Sequence, residues 1–180
     1  ILDNFFNTNI IKKINNILDD IIIKSKSVVE NNEIYDLEDS HLKDGIPQIR
    51  RIKNPIEQIN EFNFILKNNK LISLLKSILG DNIRMHHSKI NLKNPKIGSS
   101  VEWHQDWAFY PHTNDSILEV GIPLSDITTE NGHISIKKNM PRPDIVFCDK
   151  ENKNLIIVEG KVEKEIKQGI KQLEDDNLKE

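Results

Sequence analysis

The chain has 180 residues, enough to bury a core, and its 25 Lys and Arg against 28 Asp and Glu give a formal charge of −3, which excludes a general electrostatic attraction to nucleic acid or an anionic membrane surface. The single cysteine, Cys148, excludes an intramolecular disulfide framework and a cysteine-rich zinc site, and no apolar run approaches the roughly 20 residues of a membrane-spanning helix. A cytoplasmic protein with no membrane association is expected, and the start at Ile1, without Met or a signal pattern, reads as a piece of a longer product.

Thr8 is placed to cap a helix whose apolar positions Ile10, Ile11, Ile14, Ile17, Leu18, Ile21 and Ile22 recur at three- and four-residue spacing. Residues 30–55 are polar and broken by Gly45, Pro47 and Pro55, so they are expected to form a long connection, with a short strand at Ile49–Lys53. Two more helices are expected at about 56–67 and about 69–79, the second closed by Gly80. The texture then changes to alternation. Strands are expected at 83–92, 101–108 and 117–124, a turn-rich loop at 94–100, a turn at 128–132 and a further strand from His133. Helices first and strands second is an α+β order, not βαβ alternation. Toward the C-terminus, 144–148 and 155–159 read as two strands about a turn, followed by a helix carrying Ile166, Ile170 and Leu173.

Within the strand expected at 101–108 stands Trp103-His-Gln-Asp-Trp107. Residues two apart in a strand share a face, so His104 and Asp106 are able to present an imidazole nitrogen and a carboxylate oxygen to one ion. That donor pair suits Fe(II), whose two-His-one-carboxylate site leaves positions open for a co-substrate and dioxygen. Isolated His-x-Asp triplets are common, and the surroundings carry the case. Met85-His-His-Ser-Lys-Ile-Asn-Leu-Lys-Asn-Pro95, Gly98-Ser-Ser-Val-Glu-Trp-His-Gln-Asp106, Gly121-Ile-Pro-Leu-Ser-Asp126 and Glu130-Asn-Gly132 stand in the order and spacing that resemble the phytanoyl-CoA dioxygenase family, over about residues 45–136.

The resemblance implies a double-stranded β-helix, or jelly roll, that binds Fe(II) and 2-oxoglutarate and hydroxylates a small organic substrate. It places His104 and Asp106 on the first two metal ligands, Lys89 on the strand lining the co-substrate pocket and Ile122 on a neighbouring lining strand. Trp103, Trp107, Phe109 and Tyr110 are candidates for an aromatic wall or for core packing. His86, His87 and His112 match no ligand position. The family completes its site with a later His and an Arg for the distal carboxylate. This chain has only His133, directly after the Glu-Asn-Gly turn, and Arg142. Two protein ligands hold a divalent ion weakly, and without the arginine fork a dicarboxylate loses its bidentate anchor, so little turnover is expected. Only about half of the jelly roll's eight strands are found before Lys137.

A second constellation follows. Pro143-Asp144 heads one C-terminal strand and Glu159-Gly-Lys161 ends the next, so an antiparallel hairpin brings Asp144 and Glu159 together. There they have the chemistry to share Mg²⁺ while Lys161 activates a water toward a phosphodiester. This resembles the PD-(D/E)xK superfamily of restriction endonucleases, and implies a DNA endonuclease as the alternative function. The expected organisation is therefore an α+β chain. Residues 1–136 form N-terminal helices on an incomplete jelly roll of the oxygenase type, and 139–180 a β-hairpin plus helix fragment of a restriction-endonuclease-like core. Two unrelated patterns meeting without a linker suggest a truncated or chimeric reading frame, for which a product without activity is the third reading.

Overall fold

A computed structural model describes residues 2, 4–41, 48–101, 104 and 116–131, together with the strands Asp144–Phe147 and Ile156–Glu159. The predicted strands over 101–108 and from His133, the C-terminal helix, and Asp106 and Lys161 lie outside the described residues, except for Val101 and His104, neither of which is in a strand.

Helix α1 spans Thr8–Lys24. Its cap is Asn7, one residue earlier than expected: the Asn7 side chain accepts the Ile10 N–H at 3.0 Å, and Thr8 is the first helical residue. Asn7 is the better cap because its amide oxygen reaches the free N–H groups of the first turn. Ile14 and Ile21 are buried, and Ile10, Ile11, Ile17, Leu18 and Ile22 pack against the same core. The apolar stripe read from the sequence is thus the face that packs.

The described parts of the expected connection, residues 30–41 and 48–55, hold two strands where one was expected. Strand β1, Tyr35–Leu37, pairs antiparallel with β2, Ile49–Lys53, and β2 pairs antiparallel with β3, Lys89–Asn91. Asn31 and Asn32 start β1 by accepting the backbone N–H groups of Leu37, Ile34 and Tyr35 at 2.8–2.9 Å, the local chemistry by which Asn nucleates turns. The register slips between Asp36 and Leu37, so that Asp36 faces Arg51 but Leu37 faces Ile49. The extra residue, Arg50, is a β-bulge. It explains why Ile49 and Ile52, three apart, are both buried on strands whose side chains otherwise alternate.

The expected helix over 56–67 is broken. A single turn, α2 at Pro55–Gln58, ends where Ile59 turns extended; a 3₁₀ turn at Asn60–Phe62 and a second turn, α3 at Asn63–Leu66, follow. The break lets Phe62 and Ile65 bury themselves, a gain that outweighs a few helical hydrogen bonds. Helix α4, Asn69–Leu79, is as expected; Asn68 caps it, accepting the Leu71 N–H at 2.9 Å, and Gly80 ends it at φ +90°.

The predicted strand over 83–92 shrinks to β3, and that over 117–124 to a single bridge position at Glu119. Alternation still shows in packing: Leu118, Val120, Ile122 and Leu124 lie against the core, and Asn15 of α1 donates to the Leu124 carbonyl at 2.8 Å. Strands β4, Asp144–Phe147, and β5, Ile156–Glu159, form a separate antiparallel pair in which Asp144 stands opposite Glu159.

Candidate metal and co-substrate site

The segment leading to His104 is built onto the three-stranded sheet. Glu38, the residue after β1, is 4% exposed. One of its carboxylate oxygens accepts the Ser99 N–H at 3.0 Å, and the other accepts the Ser99 hydroxyl. Burying a carboxylate without partners is costly, and a single residue, Ser99, satisfies both oxygens here. Further contacts tie the same loop down. Asn94 donates to the Ile49 carbonyl at 2.9 Å, Lys93 donates to the Ser99 carbonyl, and Arg50 reaches the Ser100 carbonyl at 3.4 Å. Gly98 closes the turn through its N–H to Asn94 O at 2.9 Å, and a Cβ on Gly98 would stand 3.0 Å from that same oxygen.

Glu38 is itself held at both ends of its backbone. Its N–H donates to Gln48 O and its carbonyl accepts the His41 N–H, each at 2.9 Å. The His41 ring stiffens this corner. Its Nδ1 accepts the Gln48 N–H at 2.9 Å, so Nε2 carries the proton and donates to Val28 O at 2.6 Å. Ser40 donates to the Gln48 side chain. Sequence pattern assigns no role to Glu38, Ser99 or His41, because they lie in polar stretches with no period and the Glu38–Ser99 contact joins residues 61 apart in the chain.

His104 is exposed at the end of this loop. Its imidazole, with the carboxylate of Asp106, is a donor set that fits Fe(II); Asp106 lies outside the described residues. Among the described residues no group of three or more His, Cys, Asp or Glu is gathered to hold a metal.

Lys89 opens β3, opposite Lys53. Its ammonium lies 3.4 Å from a Glu119 carboxylate oxygen, with both side chains half-buried. Ser88, just before it, is an anchor: its hydroxyl donates to Glu57 at 3.0 Å and accepts the Ile56 N–H at 3.2 Å, and its carbonyl accepts the Asn54 N–H at 2.8 Å. Ile122 packs against the core. His86 and His87 meet each other, Nδ1 to Nδ1 at 2.8 Å with the rings edge to face. Among the described residues no helix is long and apolar enough to cross a membrane.

Residues 1–135 match the family profile of Phytanoyl-CoA dioxygenase (PhyH). Two curated relatives are similar. A protein of Stutzerimonas stutzeri named "Probable alpha-ketoglutarate-dependent hypophosphite dioxygenase" is 38% identical over 131 residues, 73% of this chain and 45% of that protein. The L-proline trans-4-hydroxylase of Streptomyces griseoviridis is 31% identical over 70 residues, 37% of this chain and 26% of that protein. The chain thus spans less than half the length of either relative. The W-H-Q-D segment, the Glu-Asn-Gly turn and the profile match agree, and the chain belongs to the phytanoyl-CoA dioxygenase family.

Proposed function

We propose that the protein is a non-haem Fe(II)- and 2-oxoglutarate-dependent dioxygenase that hydroxylates or oxidises a small molecule. The observation that carries this reading is the family match over residues 1–135, which includes His104 and Asp106. These two hold the metal in this reading, and Lys89 lies beside the 2-oxoglutarate. Bound Fe(II) supplies the redox chemistry between dioxygen, 2-oxoglutarate and substrate. The chain's own part is to present a neutral imidazole and a carboxylate from one segment, held to the sheet through Ser99, and to offer the Lys89 ammonium to an anion. The relatives are named for hypophosphite and for L-proline, which supports a small substrate and leaves its identity to binding elements beyond the matched stretch. We read the fold of residues 1–136 as helices on part of a jelly roll. Lacking a matched second His and Arg, the chain as written turns over slowly. The test is Fe(II)-dependent decarboxylation of 2-oxoglutarate by the purified chain: loss of even a weak signal in His104→Ala supports the reading, and an undiminished signal in that variant refutes it.

One observation favours a second reading for residues 139–180, a fragment of a Mg²⁺-dependent PD-(D/E)xK endonuclease. Asp144 and Glu159 are backbone partners at one end of the β4–β5 pair, and Lys161 follows two residues after Glu159. Mg²⁺-dependent nicking of DNA that disappears in Lys161→Ala would support it; no nicking by the unaltered chain would end it.

A further inference from the structure

We propose that Glu38 is a positioning residue for the metal-ligating segment, an inference that rests on the reading of His104 as an iron ligand. Glu38 is remote from His104 in sequence, and it acts through Ser99, five residues before the ligand. Three observations carry the inference. The carboxylate is almost wholly buried, so its position is set by packing rather than by solvent. Both of its oxygens are engaged by the backbone and hydroxyl of the same serine, which fixes the orientation of that residue as well as its distance. The backbone of Glu38 is clamped between Gln48 and His41, at the end of β1, so the carboxylate is tied to the core sheet rather than to another loop.

The physical consequence is preorganisation. A loop free from Asn94 onward would have to lose its conformational freedom when the metal binds, and that loss would weaken the site. With Ser99 fixed, the loop is ordered as far as Ser100 during folding, and fewer residues before His104 have to lose their freedom when the metal binds. Arg50 and Lys93 touch the same loop only through carbonyls on its exposed side, and they do not replace the buried contact.

The test is anaerobic titration of the full chain with Fe(II) in the presence of 2-oxoglutarate, on the unaltered protein and on His104→Ala, Glu38→Ala and Glu38→Gln. Affinity is measured well below the melting temperature of each. Glu38→Ala is expected to weaken Fe(II) binding about tenfold, the low end for groups that orient a metal ligand. Glu38→Gln, whose amide oxygen accepts the Ser99 N–H and whose amide nitrogen reaches the Ser99 hydroxyl, is expected to restore most of it. A merely structural role would lower the melting temperature of Glu38→Ala and leave the affinity of its folded form unchanged, and that result overturns the inference alone. If Glu38→Ala does not fold, Ser99→Ala removes one of the two contacts and keeps Glu38 in place; affinity equal to the unaltered chain's then overturns the inference. No saturable binding by the unaltered chain, or undiminished binding by His104→Ala, overturns the functional reading itself, and the inference falls with it.

Discussion

Lys89 and Glu119 form an ion pair of 3.4 Å between half-buried side chains, at the position where the family resemblance puts a lysine beside the co-substrate. The pair neutralises the charge that a dicarboxylate would seek. A partly exposed pair of this kind contributes about 1 kcal/mol at most, so a carboxylate of 2-oxoglutarate is able to displace Glu119, at a cost. Glu119→Gln is therefore expected to tighten 2-oxoglutarate binding by roughly fivefold, and Lys89→Met to weaken it, in calorimetric titrations with Fe(II) present and oxygen excluded. Weaker binding in Glu119→Gln would show that Glu119 aims Lys89 instead of competing for it.

Gly80 allows a cleaner argument than most helix ends. Its φ of +90° and ψ of 174° lie in a region open essentially to glycine, while a Cβ there would meet nothing within 4 Å. Any effect of Gly80→Ala is thus conformational rather than steric crowding. A loss of about 1–3 kcal/mol is expected, read from the midpoint of denaturant unfolding with an unchanged slope. A neutral substitution would mean that the helix ends differently in solution.

What the sequence disclosed, and what it hid, divides along a physical line. Long periodic segments were legible: the stripe from Ile10 to Ile22 buries as read, and α4 runs from Asn69 to the glycine that was expected to stop it. Strand β1 was not, because three residues carry too little period and the asparagines that start it look like loop. The break at Ile59 was invisible because it depends on where Phe62 and Ile65 find room, which is a tertiary matter. At the site, the metal-ligating residue types stood out as a local motif, whereas Glu38 and His41 act through partners up to 61 residues away, a relationship no single-chain pattern carries.

Ile52 is fully buried at the centre of the three-stranded sheet, opposite Tyr35 on one side and Ile90 on the other. Ile52→Ala removes packing that the two neighbouring strands have little scope to refill, and is expected to cost about 2–5 kcal/mol. Ile23, also apolar but 60% exposed on α1, supplies the control: Ile23→Ala is expected to change stability by about 0.5 kcal/mol or less. Both are measured by urea unfolding monitored by far-ultraviolet circular dichroism. Similar losses for the two would contradict the placement of the core on the β2 side of the helix.

Tyr35, the partner of Ile52 across the sheet, ties stability to alkaline pH. Burial favours the neutral phenol and raises its pKa above the ordinary tyrosine value. Between the unfolded and the folded pKa, the unfolded chain has already released a proton that the folded chain retains, so each rise in pH favours unfolding. The contribution from Tyr35 is fully present below the unfolded value of about 10 and is lost as pH rises through the folded value. Tyr35→Phe has no proton to lose at this position. The unfolding free energy of the unaltered chain is therefore expected to fall relative to that of Tyr35→Phe as pH rises above about 10, with no divergence below it. Tyr110 and the lysines titrate in both proteins and cancel in the difference. Parallel curves for the two proteins through this range would show that the Tyr35 phenol is as well solvated in the folded chain as in the unfolded one.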